Sequence, residues 1–239
     1  MSSLEFLSLE GLRPYAAVRE FQLELVEKRA RGEIPDTVLF VEHEPVVTRG
    51  RGLQWVGEPR ERSVPLGPLP PGVAFFEAER GGDLTYHGPG QLVVYPIVRL
   101  DGAGFGPSRD IAAYLRKLEG VLAEVLATYG VQAGTRQNAT GVWVREASGA
   151  SGAYHRKIAS IGIAIRKWVA FHGIGLNAVN SLEPFQLISP CGFAPEVMTR
   201  LADYSPLGPD WRPELESRLR AGFLAQAPAE TPAGGESGL

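Results

Sequence analysis

The stretch 156–177, RKIASIGIAIRKWVAFHGIGLN, decides how the chain is read. Isoleucines at 161, 163 and 165 recur every second residue, the period of a half-buried strand. Strict alternation puts Lys157 and Ala159 on that same apolar side. Ser160, Gly162 and Ala164 occupy the other side, where small groups leave room for a ligand or for a packed helix. A lysine in line with an apolar face has two fates. It snorkels at the strand end, the commoner outcome, or it loses its water, the setting in which a lysine can act as a base. WVAFHGIGLNAV is a further strand, and the glycines beside His172 permit close backbone approach.

Outward from this stretch, strands come in neighbouring pairs. TGVWVRE (140–146) pairs with the strand beginning at 156 across the Gly/Ser/Ala linker ASGASGA. TVLFVEH (37–43) reads as a buried strand, and EPVVTRGRG (44–52) as a loop or short strand. VAFFEAE (73–79) follows the Pro/Gly-rich excursion VPLGPLPPG. QLVVYPIVRL (91–100) is a strand whose Pro96 points to an edge or a bulge. Helices separate the groups. RPYAAVREFQLELVEKRARG opens with proline, spaces Val18, Phe21 and Leu25 on one face and stops at Gly32. SRDIAAYLRKLEGVLAEVLATYG is the clearest helix, with Ser108 as cap, an apolar stripe from Ile111 to Tyr129, and Gly130 as stop. SLEPFQLI forms a turn of helix, PEVMTRLAD a short helix and PELESRLRAGFLAQ a terminal one. The tail over 226–239 is too polar and Gly/Pro-rich to fold alone. The pattern is α+β, mixed α/β rather than a regular βαβ alternation, with residues 1–225 as one domain.

Composition narrows the function. The 239 residues carry a net charge of −3, which argues against a general affinity for nucleic acid. No apolar run is long enough to span a membrane, and the first residues lack a signal peptide's features, so a cytoplasmic protein is expected. There is one cysteine, no Cys-x-x-Cys and four scattered histidines, so neither a disulfide nor a metal site is expected. Of the 24 Lys and Arg residues only Lys28, Lys117, Lys157 and Lys167 are lysine. A lysine where this chain would ordinarily use arginine is a mild flag, because arginine cannot lose its proton.

Two further stretches carry chemistry. RGGDLTYHGPGQ (80–91) is loop-like, with four glycines that can expose amide N–H groups, and His87 could move a proton. It lacks the Gly-Lys-Ser/Thr ending of a phosphate loop. An ordinary glycine turn with a structural histidine fits it equally well. LEPFQLISPCGF (182–193) holds Cys191 between Pro190 and Gly192. A lone cysteine is more often a small buried hydrophobe than a nucleophile. His43, His155 and His172, taken singly, read as structural or surface residues.

Together, RGGDLTYHGPGQ, KIASIG (157–162), HGIGLN (172–177), PCG (190–192) and VEHEPVVTRG (41–50) resemble the lipoyl(octanoyl) transferase family in order and spacing over residues 4–225. The resemblance implies the mixed sheet flanked by helices shared with biotin protein ligases and lipoate–protein ligases. It implies a reaction without cofactor or metal, the first step of lipoyl cofactor assembly on proteins. An octanoyl group would pass from octanoyl-acyl carrier protein to a lysine of lipoyl domains, on 2-oxoacid dehydrogenase E2 subunits and the glycine cleavage H protein. Cys191 would carry the acyl group and Lys157 would activate it. The chain would lie against Arg80, Gly81, Gly82, Asp83, Leu84, Thr85, Tyr86 and His87, against Ser160, Ile161 and Gly162, and against Gly173, Ile174 and Gly175. Backbone N–H groups of the 173–175 turn or of Gly192 would receive the oxyanion. Arg49, Arg51, Arg80 and Arg156 would offer an acidic carrier a basic rim. An ATP-dependent ligase of the same fold, a cysteine thioesterase and an acyl-binding protein in which Cys191 merely packs are the competing readings.

Overall fold

The computed structural model describes residues 4–52, 63–102, 104–106, 109–145, 154–188 and 197–227. The elements are β1 (Leu4–Arg13), α1 (Tyr15–Ala30), β2 (Asp36–His43), β3 (Val46–Arg49), β4 (Ala74–Glu77), β5 (Leu84–His87), β6 (Gln91–Arg99) and α2 (Ile111–Ala127). They continue with β7 (Ala133–Arg136), β8 (Ala139–Arg145), β9 (Tyr154–Arg166), β10 (Val169–Asn177) and α3 (Trp211–Ala225). Seven strands form one sheet in the order β1-β2-β6-β10-β9-β8-β7, and β4-β3-β5 form a second. Only β1–β2 and β3–β4 are parallel pairs among the named strands. The sheets are therefore mixed.

Period-two patterning explains the layers. In β2, Val38 and Phe40 point to one side and join Leu118, Leu122, Leu215 and Leu219 of α2 and α3. Leu39 and Val41 point to the other side and meet Val18 of α1. A strand covered on both faces reads as a continuous apolar run, which is what TVLFV is. Farther along α1, Leu25 and Val26 pack on Ile97 and Phe171. Each such fully buried side chain contributes about 1.5–3 kcal/mol relative to exposure.

Several expectations change in detail. The helix α2 is capped by Asp110, whose carboxylate accepts from Ala113 N at 2.8 Å; Ser108 lies outside the described residues, as do 146–153 of the linker and 228–239 of the tail. The run 84–87 is a fully buried strand rather than loop, paired antiparallel with β3. Its β-branched and aromatic residues outweigh the glycines that flank it. The strands β1 and β7 lie at the two edges and were not anticipated. Of the short helix expected over 195–203, residues 195 and 196 lie outside the described residues, Met198 forms a bridge with Lys157, and Leu201–Asp203 make a 3-10 turn.

Pro96 sits in β6, third from the edge, so it does not mark an edge strand. The β10–β6 ladder instead skips residues 171–173 opposite it. There His172 takes a left-handed φ of 57° and Gly173 a φ of 158°. The His172 N–H leaves the sheet and donates to Gln22 Oε1 on α1 at 2.8 Å. A Cβ on Gly173 would stand 2.4 Å from Val94 O and 2.7 Å from Pro96 Cδ, so only glycine fits. Among the described residues no helix is long and apolar enough to cross a membrane.

Candidate active site

The large sheet turns small residues toward α1 and the second sheet. Val93, Gly175 and Ser160 lie in register across β6, β10 and β9, and Gly173 is registered with Gly162. These residues floor a cleft between the two sheets, joined in its lining by Ile161 and Ile174 of the same strands. The 173–175 segment is thus strand rather than turn.

Arg80 and the glycines after it roof the floor. Gly81 N donates to Ile163 O at 2.9 Å. A Cβ on Gly162 would meet Gly81 O at 2.7 Å, so the two backbones touch because neither side carries a side chain there. Arg80 is 6% exposed and spends its guanidinium on Thr48 O (2.8 Å), Thr48 Oγ1 (2.7 Å) and Gly81 O (3.0 Å). It fixes the loop and is not part of a surface rim. Arg49 pairs with Glu77, Arg156 donates to Met198 O at 3.1 Å, and Arg51 is exposed.

The far wall is aromatic. Tyr15 stacks between His87 and His172, at centroid distances of 6.1 and 6.5 Å. His43 Nε2 lies 2.8 Å from Tyr95 Oη, His87 Nδ1 2.6 Å from Gln91 Oε1, and Tyr15 Oη 3.4 Å from His172 Nδ1. Burial pushes His43 down to about 4, opposed by a hydrogen bond to Arg13 O. Burial, with the neighbouring His43, pushes His87 down to about 3. His172 is also lowered by burial, offset in part by Glu79. All three rings are therefore neutral near pH 7, and Tyr15 is pushed up to about 12 by burial. Glu79 is held well below the usual carboxylate range by His172 and by Arg19. The His172 Nε2 contact to Glu79 is 3.4 Å, long for a hydrogen bond, so Arg19, which engages both carboxylate oxygens, is the firmer partner. Histidines scattered in the sequence meet here, but among the described residues no three His, Cys, Asp or Glu side chains converge as metal ligands.

Lys157 lies on β9 three residues before Ser160, the first β9 residue of the cleft lining, and is not itself part of that lining. The β8–β9 register slips here: Val142 faces Ala159, yet Trp143 faces Lys157. Val142 belongs to the α2–α3 core and Trp143 points to the opposite side. The slip therefore overturns the alternation expected for β9. Lys157 leaves the side of Ala159 and Ile161 and shares the cleft side with Ser160 and Gly162. Its side chain is 1% exposed, with Nζ 5.4 Å from the Trp143 ring centre. Its carbonyl accepts from Thr199 N at 3.0 Å. Cys191 lies outside the described residues.

Ten of the fourteen expected acyl-contacting residues line the cleft: Arg80, Gly82, Thr85 and His87, with the two strand triplets 160–162 and 173–175. Gly81, Asp83, Leu84 and Tyr86 do not. Leu84 and Tyr86 point into a cluster with Val47, Phe185, Ile188 and Met198, and Asp83 accepts from Ser63 N at 3.2 Å. Tyr15, Val93, Tyr95 and His172 line the cleft without having been anticipated. Tyr15 had no local signal, because it comes from the first turn of a distant helix. Val93 and Tyr95 were legible only as strand residues. The glycine beside His172 was the one available hint.

Comparison with known proteins identifies the family and the fold. Residues 14–219 match the lipoyl protein ligase A/B catalytic domain. An octanoyltransferase of Rubrobacter xylanophilus is 42% identical over 206 residues, 84% of this chain and 83% of its own. One from Geobacter metallireducens is 41% identical over 192 residues, 80% and 79% of the two chains. In fold, the chain resembles a bipartite lipoate protein ligase of Thermoplasma acidophilum solved with its E2 lipoyl domain, at a TM-score of 0.62 and 16% identity over 93% of this chain and 82% of that one. A lipoate-protein ligase A bound with ATP gives 0.60 at 16% identity, over 93% and 85%. The mixed sheet with its flanking helices is thus the lipoate-ligase fold, and by sequence the chain belongs to the octanoyltransferases, acyltransferases built on the lipoyl protein ligase A/B catalytic domain.

Proposed function

We propose that the protein passes an octanoyl group from the thioester of acyl carrier protein to Cys191, and from Cys191 to the ε-amine of a lysine on a lipoyl domain. The acceptors in this reading are the lipoyl domains of 2-oxoacid dehydrogenase E2 subunits and the glycine cleavage H protein, in the cytoplasm, with residues 1–225 acting as one catalytic domain. The observation that carries it is the placement of Lys157. This lysine is buried on β9 three residues before Ser160, where the lining of the glycine-floored cleft begins on that strand, and it is bridged to Met198 just after the segment that contains Cys191. Ile188, just before that segment, is fully buried against Met198.

The thiol of a free cysteine, with a pKa of about 8.5, is only a few per cent ionised near pH 7. Lys157 raises that fraction by taking the thiol proton as a neutral amine or by stabilising the thiolate as an ammonium. Cys191 attacks the donor thioester and releases the carrier's thiol, so one thioester is exchanged for another. The acceptor amine then attacks the Cys191 thioester. Lys157 receives the amine proton, the amide forms, and the cysteine is regenerated. Backbone N–H groups meet the oxyanion of each tetrahedral intermediate; losing one such donor typically costs about 3 kcal/mol. The neutral histidines leave the aromatic wall of the cleft uncharged toward a hydrocarbon chain, whose burial contributes on the order of 5 kcal/mol at about 0.8 kcal/mol per methylene.

The test is intact mass after mixing with octanoyl-acyl carrier protein in the absence of ATP. One octanoyl adduct on residue 191, lost in Cys191→Ser and discharged onto a lipoyl domain, is the expected result. Transfer that requires ATP favours a ligase, and release of free octanoate alone favours a thioesterase. Full activity in Cys191→Ser removes the thioester route.

A further inference from the structure

The cleft has a direction. On β9 the order is Lys157, Ser160, Gly162, Ala164; on β10 it is Asn177, Gly175, Gly173, Phe171. Same-side rows on a strand are about 7 Å apart. Two rows, Ser160–Gly175 and Gly162–Gly173, carry almost no side chain. The next row is filled: Ala164 and Phe171 pack with Ile97 beneath Leu25 and Val26 of α1. Along β9, in the direction away from Lys157, the space is therefore stopped after two open rows.

Three residues stand at that stop. Tyr95, 3% exposed, flanks the last open row from β6, His172 leaves the ladder there at its left-handed φ, and Tyr15 enters from the first turn of α1. Their polar atoms are turned on one another and on the scaffold. The Tyr95 hydroxyl is bonded to His43, and the Tyr15 hydroxyl approaches His172 Nδ1. His172 Nε2 stands 3.4 Å from Glu79. Three aromatic rings at this end suit the methyl end of a saturated chain.

We propose that Tyr15, Tyr95 and His172 form the closed end of the acyl slot and set the upper limit on chain length. This rests on the reading that the cleft holds the acyl chain. A chain longer than the two open rows has to displace a ring, and one methylene too many costs about 10-fold or more where a wall does not yield. Chains shorter than the limit lose only burial, so discrimination is steeper against long chains than against short ones.

The experiment offers an equimolar mixture of octanoyl- and dodecanoyl-acyl carrier protein and reads the two adduct masses on the intact enzyme. The unmodified protein should carry octanoyl in at least tenfold excess. Tyr15→Leu and, independently, Tyr95→Leu should each raise the dodecanoyl share tenfold or more, whereas Tyr15→Phe, which keeps the ring, should not. Adducts in an unchanged ratio in both leucine variants overturn the limit while leaving the slot in place. No adduct with either chain in the unmodified protein overturns the acyl reading itself, and this inference with it.

Discussion

Lys157 faces Trp143 across the β8–β9 ladder, with its Nζ 5.4 Å from the centre of the indole ring. Trp143 is itself fully buried, and its ring is pinned by a bond from Nε1 to Ala139 O at 3.1 Å. An aromatic face attracts an ammonium through the ring quadrupole and does not accept its proton.

Lys157→Arg separates charge from basicity, because a guanidinium keeps its charge and cannot serve as a base. Octanoyl transfer should fall by about 100-fold or more, the range for loss of a general base. Steady-state transfer to a lipoyl domain, with the melting temperature as a fold control, gives the answer. Near-normal turnover eliminates the base.

Gly141 keeps the lysine in place from beneath. Its φ is +119°, and a Cβ there would stand 2.4 Å from Ala159 O and 2.9 Å from Lys157 Cε. Gly141→Ala should cost about 1–3 kcal/mol in urea unfolding and slow transfer, since the lysine stem has to move. Gly130 is the control: its φ is also positive, +75°, but a Cβ there meets nothing within 4 Å. Gly130→Ala should therefore cost stability without slowing transfer. Equal effects of the two substitutions on turnover would falsify the packing argument.

The reading of β9 shows how far sequence reaches. Its isoleucine alternation located the strand, its partners and the glycine-rich side, because period two is a local property of the chain. The β-bulge at Ile158 was invisible: it follows from how β8 sits against β9, and a slip of one residue sends Lys157 to the other side. Pro96 was readable as a disturbance of the ladder, but its cure lies on another strand at 171–173. Tyr15 and Tyr95 reach the cleft only through tertiary packing of α1 on the sheet, so no local pattern could single them out. His43, His87 and His172 each looked unremarkable alone, and their meaning lies in being neighbours.

Arg80 and Arg51 looked alike in the sequence and should behave as opposites. Arg80→Gln leaves Thr48 and Gly81 without their buried charged partner. It should lower stability by about 3 kcal/mol or more, as breaking buried charged hydrogen bonds does. Arg51 is exposed beside the roof of the cleft, its N–H bonded to Arg80 O at 3.0 Å. Arg51→Ala should leave the urea midpoint unchanged while weakening binding of the acidic carrier and flattening its salt dependence. Carrier affinity measured at two salt concentrations separates the two roles. An affinity insensitive both to salt and to Arg51→Ala removes the docking role.

The buried histidines set how stability responds to acid. His43 and His87 titrate at about 4 and about 3 in the folded chain, against about 6.5 when unfolded. Above 6.5 neither state binds the proton and the full stability is present. Between 6.5 and 4 the unfolded chain binds protons that the folded chain refuses, so stability falls as pH falls, by about 1.4 kcal/mol per pH unit for each histidine. Glu79 is also lowered, but the stability it contributes is lost only below the ordinary glutamate range of about 4.3, so it is silent in this window. The urea midpoint should hold steady from pH 8 to 7 and drop steeply from 6.5 to 5. His155 is exposed, and His155→Ala should leave that slope intact. A midpoint that stays level down to pH 5 means that the three rings are not held neutral together, and the uncharged wall inferred for the acyl cleft goes with them.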